Sequence, residues 1–359
     1  MTLSLNPGSD APGSVLTPDA ALASGRWLKL ICGAGNQDLT AIEDLCAIYA
    51  LAGVHCIDVA ADVAVAAAAR RGITWAQQQG AGRPWLMLSL SDGDDPHFRK
   101  AGFDPARCPA DCPRPCQRVC PAEAITDRGG VISERCYGCG RCLPACPLGL
   151  IEDRQVLLGP EAVPELLRAV RPDAVELHTQ AGRQPGFVER LQQLQSSGVP
   201  LRRLAVSCGL ERGAGSEGSA SPLSARELAA ELWLRFNAMR SAGYRPLWQL
   251  DGRPMSGDVG AGTAHAAVKL LREIRPWAPP GPLQLAGGTN AHTLTLLTAT
   301  DGAAGVAFGG VARSLLQPLL REAERAGRPL RNLPELRTQA LTAARALVTP
   351  WLERRGWNA

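Results

Sequence analysis

Eight of the chain's twelve cysteines lie between Cys108 and Cys146. The second half of that stretch reads Cys136-x2-Cys139-x2-Cys142-x3-Cys146-Pro147, the spacing of a bacterial ferredoxin run. The first half, Cys108-x3-Cys112-x3-Cys116-x3-Cys120-Pro121, is a looser relative. Such spacing suits iron–sulfur chemistry for a geometric reason. Closely spaced thiolates from one loop reach three irons of a cubane, and a fourth ligand follows a sharp turn that the proline helps to fix. In two-cluster ferredoxins this fourth Cys serves the other cluster. By that logic Cys108, Cys112, Cys116 and Cys146 form one [4Fe–4S] ligand set, and Cys136, Cys139, Cys142 and Cys120 form the second. The x3 spacings of the first half, where x2 is usual, define its own ligands less sharply. Structural zinc also uses paired cysteines, but eight of them with two Cys-Pro ends favour clusters. A radical-type cluster with an open iron fits less well, because a fourth Cys is present.

Other residues offer weaker signals. The glycine pairs Gly287-Gly288 and Gly309-Gly310 each end a strand-like run. In many barrels the loops after strands seven and eight cradle a phosphate on backbone N–H groups, so these pairs are a candidate site for a phosphate or FMN; tight turns alone would also explain them. The long loop Asp251 to Thr263 places Asp251, Arg253 and Asp258 where a polar ligand or a surface ion pair could use them. Asp58, Asp62, Glu176 and His178 also fall near strand ends, and a lone His is more often structural than catalytic. No Ser–His–Asp set and no paired-carboxylate spacing can be assigned. Cys32, Cys46, Cys56 and Cys208 read as core residues, since free Cys is among the most buried types; a redox thiol at Cys32 or Cys208 is the lesser reading.

Alternating strands and helices must position these residues. Apolar runs at 28–32, 56–60, 85–90, 174–178, 204–208, 246–250, 283–286 and 305–308 read as strands. Helical patterns follow them, including 38–52, 160–170, 185–197, 264–274, 291–298 and 312–326. Ser224 with Glu227 forms a capping box that opens another helix, and 333–355 reads as a C-terminal one. Eight βα units imply a parallel sheet and a (β/α)8 barrel, with an open doubly wound sheet as the competing architecture. No GxGxxG follows the first strand, which counts against a Rossmann site. The expected organisation is a flexible start at 1–26, a discontinuous α/β barrel-like body at 27–100 and 154–330, a two-cluster ferredoxin-like insertion at 101–153, and a C-terminal helix at 331–359. The run Gly213 to Ser221 reads as a flexible loop. The insertion falls between the third strand and its helix, on the face where barrel active sites form.

Composition narrows the function classes. Apolar content of 45 % and charged content of 20 % describe a globular chain. A net charge of +4 gives no warrant for nucleic-acid binding. No uncharged apolar run reaches the length of a transmembrane helix, and the N-terminus lacks the basic and apolar regions of a signal peptide. A cytoplasmic protein is expected, in which clustered thiols mean metal more readily than disulfides.

Three blocks together resemble a known family: the opening WLKLICGAGNQDL…AGVHCIDVAAD, the two-cluster cysteine segment, and the loop DGRPMSGDVGAGT. They are similar to those of the cyanobacterial light-dependent period proteins, over nearly the whole chain from Trp27 onward. The resemblance implies an iron–sulfur redox sensor in the input pathway of the circadian clock. Its expected partners are clock oscillator and input-kinase proteins, with an electron-transport redox partner or quinone as the source of the signal. Cluster-ligand roles carry over to the eight cysteines above; the family supplies no catalytic residue. A ferredoxin-fed oxidoreductase, with a flavin or phosphate-bearing substrate in the barrel, is the alternative.

Overall fold

The computed structural model describes residues 16–126, 130–155, 158–211, 221–253 and 260–354. Asp258, and all of the expected loop at 213–221 except Ser221, lie outside them.

Eight parallel strands close into a barrel. They are β1 (Trp27–Ile31), β2 (Cys56–Ala60), β3 (Trp85–Ser91), β6 (Ala174–His178), β7 (Arg203–Cys208), β8 (Pro246–Asp251), β9 (Leu283–Ala286) and β10 (Gly305–Phe308), with β10 pairing back onto β1. The closure decides between the two architectures in favour of the barrel. Between β3 and β6 a separate antiparallel pair, β4 (Arg99–Gly102) and β5 (Glu152–Gln155), ties together the two ends of the cysteine segment.

Alternation sorts each strand's side chains between the barrel interior and the helical shell. Outward residues such as Leu28, Leu30, Ile57, Val59, Leu86, Leu88 and Val175 join one continuous core with the helices. Inward residues at the N-terminal end form a second cluster around Trp27, Cys56, Trp85 and Met87. The middle of the barrel is polar instead, with Lys29, Asp58, Glu176, Gln249 and Gln284 all buried.

Two local expectations change. The start was expected to be loose to residue 26, yet Pro18–Ala23 is helical, capped by Thr17, and buries Ala21 and Leu22 against the barrel floor. The helix expected at 291–298 is replaced by two short 3-10 turns, Leu294–Leu296 and Ala299–Asp301. Polar side chains capture the backbone there: Asn290 Oδ1 accepts from His292 N at 2.9 Å, Thr295 Oγ1 donates to His292 O at 2.8 Å, and Thr298 N donates to Asp301 at 2.7 Å. Such local bonds compete with a helical ladder. The capping box at Ser224 does open the helix Ala225–Ser241.

Candidate iron–sulfur site and barrel mouth

The cysteine segment is a short-element fold over the C-terminal end of the barrel. Its helices, Pro115–Arg118 and Cys142–Ala145, have four residues each. Gly138 and Gly140 adopt φ of +76° and +74°, which lets the Tyr137–Arg141 loop reverse sharply. At Gly138 a Cβ would stand 2.1 Å from Arg99 O, so this loop lies directly on β4.

The cysteines fall into two neighbourhoods. Cys120, Cys136, Cys139 and Cys142 line one cavity of about 400 Å³, together with Ala101, Ile125 and Leu143. Burial, followed by the charges of Cys139, Cys136 and Cys120, pushes the Cys142 thiol up to about 12. Cys108 is raised by desolvation and then by Cys112, with Cys146 also contributing. Cys116 is raised by burial, and it too senses Cys146 and Cys108. Cys120 stands with the cysteines of the second half, and Cys146 is sensed by those of the first. Backbone amides already point at several sulfurs: Ala101 N to Cys136 Sγ at 3.3 Å, Ala124 N to Cys120 Sγ at 3.3 Å, and Leu150 N to Cys146 Sγ at 3.4 Å. A cavity walled by four thiols and apolar side chains, with N–H groups aimed at sulfur, fits an iron–sulfur cluster.

The insertion docks on the loop after β1 and on the helix Gly310–Arg325. Lys100 Nζ donates to Gln37 Oε1 at 2.6 Å and to Ser133 O at 2.7 Å. Gln37 N donates to Glu134 O at 2.8 Å. The Arg313 guanidinium stacks over Tyr137, 3.8 Å from its ring centroid.

Beneath lies the barrel mouth, whose polar network runs down the axis. Lys29 Nζ sits 3.2 Å from Asp58 Oδ2 and is bonded to Glu176. Burial alone would lower the Lys29 ammonium, but Glu176 and Asp58 outweigh it and keep the group charged. Glu176 also meets His178 Nε2 at 3.0 Å and Gln249 Nε2 at 2.8 Å; burial opposes its ionisation, yet Lys29 and His178 hold it below the usual carboxylate range. Asp58 is held above that range by burial, because its share of Lys29 does not fully compensate. The chain of bonds continues from Gln284 Nε2 to Gln249 Oε1 at 2.6 Å and ends at Trp27 Nε1, which donates to Gln284 Oε1 at 2.5 Å. His178 is pulled in opposite directions. Burial would lower it, but Glu176, Asp95 and Asp251 raise it to about 9.

The structure thus brings Glu176, His178, Asp251, Arg253, Gly287, Gly288, Gly309 and Gly310 to one mouth cavity. Asp58 lies deeper. Asp62 is a helix cap, accepting from Ala64 N and Val65 N at 2.8 and 3.0 Å. Gly287 and Gly288 have φ of +64° and +90°, and a Cβ at either would strike neighbouring loop backbone; turn geometry and close packing require them. Cys32, Cys46, Cys56 and Cys208 are buried. Sequence reasoning did not single out Lys29 in the polar network, or His97, Tyr137, Arg141 and Arg313, which also line the mouth cavity. A lysine at an inward position of the apolar run Leu28-Lys29-Leu30 was a usable signal for the first.

Comparison with known proteins follows the same division. Residues 108–157 match the family model of the LdpA Fe-S cluster-binding domain, and residues 166–350 match that of the light dependent period A C-terminal domain. The light dependent period A protein of Synechococcus elongatus is 47 % identical over 343 residues, covering 93 % of each chain. Among solved structures, the (S)-3-O-geranylgeranylglyceryl phosphate synthase of Thermoplasma acidophilum is similar with a TM-score of 0.44 and 10 % identity, covering 94 % of this chain and 100 % of that one. A type I 3-dehydroquinate dehydratase from Clostridium difficile gives 0.36 and 9 %, covering 89 % of this chain and 92 % of that one. At those values neither adds to the barrel read from strand pairing. No described helix is long and apolar enough to cross a membrane. From the relative and the two family models, the chain belongs to the light dependent period A family and carries its iron–sulfur cluster-binding domain.

Proposed function

We propose that the chain is a redox sensor that holds two [4Fe–4S] clusters and relays the redox state of electron transport, set by light, to clock oscillator and input-kinase proteins. One cluster takes Cys120, Cys136, Cys139 and Cys142, and the other takes Cys108, Cys112, Cys116 and Cys146. The observation that carries the reading is the cavity walled by four thiols of the crossed set, two of them, Cys136 and Cys142, buried. Bound there, a cluster supplies a one-electron change of charge.

The chain's own residues convert that charge into shape. Ala101 N and Ala124 N donate to sulfur, so these donors feel the charge first. Ala101 belongs to β4, and Lys100 beside it grips the loop after β1 through Gln37. A shift in β4 therefore reaches the surface where the insertion meets the barrel. A tenfold change in partner affinity needs only about 1.4 kcal/mol of difference between the two states.

The test compares oxidised and dithionite-reduced protein for binding to the clock oscillator and input-kinase proteins. An affinity that differs about tenfold supports the sensor; equal affinities sink it. The oxidoreductase alternative gains from one fact, that Cys139 lines both the thiol cavity and the barrel mouth. Stoichiometric flavin in the anaerobically purified protein would favour that alternative.

A further inference from the structure

A second group of metal-binding side chains stands where the cysteine insertion leaves the barrel. Asp95 and His97 lie on the connection from β3 to β4, and His178 ends β6. One ligand atom from each lies within 4.8 Å of the other two. Asp95 and His178 are only 5 % and 6 % exposed, so this is not an open acidic surface on which charged groups meet by chance. The two imidazoles stand with ring centroids 4.7 Å apart. Local contacts orient every member. Asp95 Oδ1 accepts from His97 N at 2.8 Å and meets His97 Nδ1 at 2.7 Å. His178 Nε2 meets Glu176 Oε1 at 3.0 Å. These contacts use one nitrogen of each ring and one oxygen of the carboxylate, and they leave Asp95 Oδ2, His97 Nε2 and His178 Nδ1 for a further partner. All three residues line a cavity of about 30 Å³, together with Glu211, Asp251 and Arg253. Roughly 10–15 Å³ accommodates one water, so the cavity has room for a cation with a water or two and for no organic ligand.

We propose that Asp95, His97 and His178 bind a single divalent first-row transition cation of the ferrous class, which bolts the root of the insertion to the rim of the barrel. The site does not rest on the cluster reading above, since its ligands lie outside the Cys108–Cys146 segment. Nitrogen and oxygen ligands stand about 2.0–2.2 Å from such a cation, hence roughly 3–4 Å from one another. Small turns of the side chains bring atoms within 4.8 Å into that range. Two imidazoles and one carboxylate, with positions left open for water, suit ferrous iron. The Glu176 carboxylate on the far nitrogen of His178 is the outer partner that a metal-bound imidazole usually has. Asp251 and Glu211 add carboxylates to the cavity wall, against the Arg253 guanidinium. The cation takes the place of the proton that His178 carries without it. Binding joins parts that the chain order separates. Asp95 and His97 precede β4, whose Lys100 holds Gln37 and whose Ala101 N–H meets Cys136 Sγ, while His178 belongs to the barrel. Occupancy therefore favours the docked position of the insertion.

The experiment uses the intact, cluster-loaded protein after a chelator wash. Co(II), an air-stable stand-in for ferrous iron, is titrated by calorimetry, with Mg(II) as the control for loose carboxylate binding. About one Co(II) per chain is expected, bound at least tenfold more tightly than Mg(II), and at least tenfold more weakly in His97→Gln and in the nearly isosteric Asp95→Asn. His97 is the more exposed partner of its pair with Asp95 and lies outside the Lys29 network, so its variant should keep the parent's iron content. Binding to the folded chain alone should raise the thermal midpoint, in the parent and in neither variant. Mn(II) loaded into the parent should show imidazole nitrogen couplings by pulsed electron paramagnetic resonance, a reading that needs no variant. Co(II) bound no better than Mg(II), Co(II) affinity unchanged in both variants, or bound Mn(II) without nitrogen couplings would each overturn the site. Tight, His97-dependent binding by a chain that carries no iron–sulfur clusters would support this site and overturn only the cluster reading.

Discussion

The barrel and the cysteine insertion are held together by different physics. The strands β2 and β3 are buried at every position, and their outward side chains enter a core shared with the surrounding helices. The insertion has almost nothing comparable. Its core is Cys116, Ile125, Cys142 and Ile151, so half of it is made of thiols. Its helices are single turns, and its one named sheet has two strands. Small units with so little apolar burial need staples, and metal binding is then folding free energy. The barrel has an apolar core of its own, whereas the insertion has the sparse core of a unit that a bound cluster would staple.

The largest way to break this contrast is Cys139→Ser. It should remove about four irons per chain and expose residues 99–155 to protease, while far-UV circular dichroism of the barrel persists. Full iron content in that variant would contradict the ligand set. Lys29→Met attacks the other region. It leaves Glu176 and Asp58 buried without their cation, which should cost about 3–5 kcal/mol in denaturant unfolding and leave iron content unchanged.

His178→Gln sharpens the pH behaviour of the barrel. The folded imidazolium is raised to about 9 against an unfolded value near 6.5, so folding favours the protonated form. Its contribution, on the order of 3 kcal/mol, is fully present below about pH 6.5 and lost as the pH rises through about 9. The wild-type thermal midpoint should fall over that window, and the variant's should fall less. The smallest effect is expected from Cys46→Ser, which places a hydroxyl in the barrel shell. A loss of about 1–3 kcal/mol with unchanged iron would separate core cysteines from ligand cysteines.

The same contrast explains what was legible in the sequence. Short apolar runs and period-3.6 helical faces made the barrel readable, because burial leaves a pattern in residue type. Cysteine spacing suggested the ligand sets, because closely spaced thiolates from one loop can reach three irons of a cubane. The mouth was harder. Tyr137, Arg141 and Arg313 come from two segments far apart in the chain and meet only through docking of the insertion, so no local spacing announces them. The helix expected at 291–298 failed for a local reason, since Asn290, Thr298 and Asp301 bond the backbone themselves. Gly287 and Gly288 take positive φ to serve the turn, with neighbouring backbone closing on both.

The central claim is that eight cysteines hold two four-iron clusters in crossed sets. Iron, sulfide and zinc per chain, measured on anaerobically purified protein, test it most directly. About eight irons with matching sulfide and negligible zinc are predicted; four irons or fewer, accompanied by stoichiometric zinc, would contradict it.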